Sequence, residues 1–118
     1  MLLRESGRSE ETKIDLSAIH GTAGDGGVEH GAKLIAFTEA VMDTDEEALL
    51  RQRAALREVL SDEAFVDTAA VIGSFNVVDR IADSTGIPLD DMMEMMTRGL
   101  REELDLTRFG SSANTPAP

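Results

Sequence analysis

Residues 61–90, SDEAFVDTAAVIGSFNVVDRIADSTGIPLD, constrain this chain more than any other stretch. Ser61 is a helix N-cap residue, and Asp62 and Glu63 suit the positive end of the helix that follows. Gly86 and Pro88 then provide a stop. Between them apolar residues fall on nearly every side. Phe65, Ala69 and Ile72 make one stripe, and Val71, Phe75, Val78 and Ala82 make a second. Val66, Val77 and Ile81 add more. A helix that is apolar all round has to be buried, so a central helix at about 62–84 is expected to organise the fold.

The rest of the chain reads as shorter helices. Residues 32–42 place Leu34, Phe37 and Val41 on one face, with Ile35 beside them. Residues 43–45 offer a break and a new N-cap, and Glu46 and Glu47 favour the next helix start. Residues 48–60 repeat Leu49, Leu56 and Leu60, while Arg51, Arg53, Arg57 and Glu58 take the remaining surface. Asp90 and Asp91 open a last helix in which Met92, Met96 and Leu100 share a face, extended by Met93 and Leu104. No alternating strand pattern of useful length is present. The expected class is all-α, a small helical bundle. Residues 1–31 read as a flexible arm and Gly-rich loop, 32–106 as the helical domain and 107–118 as a disordered tail. Within the arm, residues 12–20 suit either one short helix or a docked extended piece.

Composition narrows the function classes. A net charge of −12 leaves no basic stripe for nucleic acid and disfavours an anionic membrane surface. No leader or membrane-length apolar run is evident, so a cytoplasmic protein is expected. With no cysteine there is no disulfide, thiolate nucleophile or thiolate metal site. With four Phe and no Trp or Tyr, the core has to come from aliphatic residues and Met, which suits packed helices.

Between Lys33 and Asp91 an L-x-A-F helix (Leu34 to Phe37) is followed by A-L-R (Ala55 to Arg57). Then comes F-N-x-x-x-R-x-A-D (Phe75 to Asp83), running to G-I-P-L (Gly86 to Leu89). This segment resembles the later half of the alkylhydroperoxidase D-like superfamily, which includes the carboxymuconolactone decarboxylases. The look is that of the peroxidase-related members. Asp79 stands where the family usually has Asn. The match covers about half of the chain, and its four pieces occur in the family's order.

This resemblance implies an all-helical fold assembling as a dimer, trimer or hexamer. Redox members of the family use a Cys-x-x-Cys pair and a following His. If His30 is laid on that His, Ala23 and Gly26 take the cysteine positions; if His20 is, Lys13 and Leu16 take them. Cysteine-dependent peroxidase chemistry is therefore excluded for this chain.

Three functions remain open. The first is a non-redox, oligomerising helical module, or half of a split enzyme with a separate catalytic chain. The second is a cofactor-free decarboxylase-type enzyme moving protons with His20 or His30, with Glu29 or Glu39 as orienting acid. A loop or surface role for both histidines is the plainer alternative. The third is a protein-binding module using the Met92 and Met96 face, set against a core or self-association role for the same residues. Phe65, Ile72, Phe75, Asn76, Val78 and Arg80 are the further core or interface candidates. Asn76, inside the apolar run, is expected to bond a neighbouring backbone. Arg80 and Asp79 face a pocket or seam, or form a surface charge pair. No cofactor or metal is expected; His20, His30 and Asp25 lie across glycines that fix no ligand geometry. One chain is not expected to cover the central helix, so copies should pack together through it.

Overall fold

Asp45, Ser61 and Asp90 each start a helix by the same local device. In the computed structural model, which describes residues 14–20 and 24–115, their side chains accept from the backbone N–H three residues on. The acceptor distances are 2.9 Å to Ala48, 3.2 Å to Ala64 and 2.9 Å to Met93. Each bond satisfies one of the donors that a helix start leaves unpaired. The four helices are α1 (Gly31–Met42), α2 (Glu46–Arg57), α3 (Asp62–Thr85) and α4 (Asp91–Glu103). Short 3-10 turns cover Leu16–His20, Leu106–Arg108 and Gly110–Asn114. Among the described residues there is no strand, and the fold is all-α. No helix among them is long and apolar enough to cross a membrane.

The chain divides into two compact units between Ser74 and Phe75, a point inside α3. In the first unit α1 and α2 form a hairpin, tied by Lys33 Nζ donating to the Ala55 carbonyl at 3.2 Å. Phe37 from α1, Leu56 from α2 and Ile72 from α3 make its core, with Leu34, Leu49, Val59, Leu60 and Phe65 packed round them. The stretch expected to be a flexible Gly-rich loop is a series of turns from residue 24 to 30. Asp15 N–H donates to the Gly26 carbonyl at 2.9 Å, and Leu16 and Ala18 are buried. Gly31 has to be glycine, because a Cβ there would overlap the backbone of Asp25.

The second unit holds the end of α3, α4 and the following turns. Gly86, at φ 67°, terminates α3, and Ile87 N–H donates to the Ala82 carbonyl at 3.1 Å in a Schellman closure. The region expected as a disordered tail from residue 107 forms two 3-10 turns over its described part. Ser112 Oγ donates to the Thr107 carbonyl at 3.0 Å, and Leu89 N–H donates to Thr115 Oγ1 at 3.0 Å. The second of these bonds spans 26 positions, a contact that composition does not report.

Candidate functional site

The central helix was expected to be buried. Within the single chain it is not: Ile72 is its only buried residue. Its apolar positions fall into three stripes, each about a third of a turn from the next. The first, Phe65 and Ile72, meets the core of the first unit. The second runs Val71, Phe75 and Val78, which are 56%, 63% and 55% exposed. The third runs Val66, Ala70, Gly73 and Val77, with Ile81 at its edge. Val66, Val77 and Ile81 are 62%, 58% and 53% exposed, and Ala70 and Gly73 are also exposed. Each of these two outward stripes exposes on the order of 300 Å² of large side chain, at the lower end of the largest contiguous apolar patch on a typical monomer.

Ile72 belongs to the core and Phe65, partly buried, packs against it, whereas Phe75 and Val78 are exposed. Met92 and Met96 are likewise exposed, and so are Met93 and Met95. On α4 the inward face is instead the half-buried Glu94, Thr97, Leu100 and Arg101, followed by the buried C-cap residue Leu104. That face carries an ion pair, not thioethers: Arg101 Nη2 donates to the Glu94 carboxylate, and Arg98 Nη2 donates to its other oxygen at 3.1 Å. The Arg98 hydrogen bond, then the Arg101 bond and the two positive charges, hold the Glu94 carboxyl below its ordinary range against the opposing effect of burial. Arg101 Nε is buried with no acceptor among the described residues.

Asn76 was expected to bond a neighbouring backbone. Its Oδ1 accepts from Arg80 Nε at 2.6 Å. A four-residue step puts the guanidinium and the amide on the same side of α3. Arg80 thus pairs with Asn76 in place of a charge pair with Asp79.

His30 and Glu39 do not converge. The His20 side chain lies outside the described residues. His30 sits at the head of α1 with φ 57°, and its Nε2 is 3.6 Å from a Glu29 oxygen that is itself highly exposed. Glu39 is nine residues further along α1, roughly 13 Å away by helical rise, and exposed. It cannot orient His30. Among the described residues no cluster of His, Asp and Glu side chains is placed to hold a metal ion.

A cavity of about 300 Å³ lies in the second unit, lined by Ile87, Leu89, Arg101, Leu106, Phe109 and Thr115 among others. Among the described residues no histidine lines it, and its polar lining is Asp83, Arg101, Asn114 and the hydroxyls of Thr107, Ser111, Ser112 and Thr115. Sequence reading missed it because the 3-10 turns that form one wall were expected to be disordered. The seven-residue Glu94 to Arg101 step, two helical turns, was the available signal for the ion pair beside it.

No protein-family model, curated protein or solved structure matches this chain.

Proposed function

We propose that this chain is a self-assembling helical module: a cysteine-less, non-redox member of the alkylhydroperoxidase D-like superfamily whose copies pack through α3. The observation that carries this reading is the pair of apolar stripes that α3 turns to solvent in the single chain. Among the described residues only seven hydrophobic side chains are buried, and Leu56 alone of the large ones is fully so. Small chains commonly gain stability by covering apolar surface with further copies. The motif order from Leu34 to Leu89 supports the superfamily part of the proposal.

Size-exclusion chromatography with light scattering tests it directly. The expected result is a defined oligomer at micromolar concentration. A stable monomer there sinks the reading and leaves the exposed stripes to a different chain, such as a catalytic partner of a split enzyme. The decarboxylase-type alternative is weaker, since among the described residues the acid beside His30 is the highly exposed Glu29. It requires that replacing His30 and His20 abolish turnover of a lactone or β-keto acid.

A further inference from the structure

Gly73 sits in the interior of α3, where glycine costs about 1 kcal/mol relative to alanine. Its own chain gives no reason for the missing side chain: a Cβ at this position would meet nothing within 4 Å among the described residues. It lies on the stripe formed by Val66, Ala70, Gly73 and Val77, which recur at steps of four, three and four residues, the rhythm of a helix-pairing seam. A second helix crossing close to the backbone would use the absent side chain, because interaxial distance is set by the residues at the crossing.

Charge decides the direction. The helix opens with Asp62, Glu63 and Asp67, and Arg80 is the only cation along it. Parallel pairing would stack the three acids of one copy on those of the other, in a chain that already carries −12. Antiparallel pairing separates them, setting each N-terminal cluster beside the more weakly charged C-terminal half, where Arg80 offsets one of Asp79 and Asp83, and it opposes the two helix dipoles. In the antiparallel register that sets Val66 against Val77, Ala70 meets Gly73 and Asp62 comes alongside Arg80. All three pairings repeat under one two-fold axis, so the stripe is complementary to itself.

We infer that a second copy of this chain packs antiparallel on the Val66, Ala70, Gly73 and Val77 face of α3, with the helices in closest approach at Ala70 and Gly73. The inference rests on the self-assembly reading above and specifies its interface. Because the chain has no cysteine, single-cysteine variants report on this geometry without background. In the antiparallel pair the two copies of residue 66 lie about 16 Å apart along the axis. That is far beyond the separation of about 7 Å a disulfide can span.

Oxidising a mixture of the Val66→Cys and Val77→Cys chains should therefore give a crosslinked dimer, while neither variant crosslinks with itself. Gly73→Leu should weaken assembly at least tenfold while far-UV helicity stays the same or rises. Wild-type chain that is monomeric in light scattering removes the self-assembly reading and this interface with it. An oligomer in which Val66→Cys crosslinks to itself overturns the antiparallel geometry alone. An oligomer that gives no crosslink in the mixture, or that is indifferent to Gly73→Leu, moves the interface to another face.

Discussion

Phe37 and Phe65 meet with ring centroids 5.5 Å apart and planes tilted by 48°, joining α1 to the first turn of α3. Arg57 stands over the Phe65 ring at 5.7 Å and also reaches Asp62 at 3.0 Å. The same ring thus meets both an aromatic and a cationic neighbour.

This arrangement predicts that Phe37 and Phe65 are energetically coupled. A double-mutant cycle of the two alanine variants should return about 0.5–1.5 kcal/mol in urea unfolding. Leu56→Ala, at the one fully buried large side chain, should cost about 2–5 kcal/mol. A coupling near zero, or a Leu56→Ala cost below that of a surface change, would contradict the packing described.

The helix boundaries should respond one by one to their local devices. Asp45→Ala, Ser61→Ala and Asp90→Ala each remove a cap and should cost about 1 kcal/mol. Gly86→Ala should cost a comparable amount, because an alanine at φ 67° is strained. Thermal denaturation of the four variants checks this, and Gly86→Ala proving neutral or stabilising would argue against the left-handed termination of α3.

Glu94 predicts an acid-side effect. Its carboxyl is held below the ordinary range mainly by the Arg98 hydrogen bond, so the folded pKa lies beneath the unfolded one. The contribution is complete above the unfolded carboxylate pKa of about 4.3 and fades as the pH falls through the folded value. Carbon-detected NMR should place the Glu94 midpoint below that of an ordinary glutamate. Glu94→Gln should flatten the loss of stability below pH ~4. A midpoint at or above the ordinary value would show that the pair with Arg98 and Arg101 is not formed.

The methionines of α4 give a prediction with opposite outcomes for core and surface. Met92 and Met96 are 63% and 46% exposed, so changing both to Lys should alter unfolding stability by no more than about 0.5 kcal/mol per site at dilute, monomeric concentration. A loss of several kcal/mol would return them to the core. If assembly also uses this face, the double variant will shift the oligomer equilibrium without changing the fold.

What could be read from the sequence is what is decided within one helical turn. Asp45, Ser61 and Asp90 mark helix starts because their acceptors reach donors three residues away, and Gly86 marks a stop because its backbone alone tolerates the required turn. The apolar rhythm of residues 62–84 was equally legible, down to its separate stripes. Which stripe meets the core was not, since Phe65 and Ile72 are no more apolar than Phe75 and Val78. That choice belongs to the α1 and α2 hairpin, whose Phe37 and Leu56 claim one side of the rod. The residues after 106 fell outside reach for a related reason: the Thr115 hydroxyl finds the Leu89 amide across 26 positions. Local chemistry sets where helices begin and end, and only three-dimensional contact sets which of their faces stay wet.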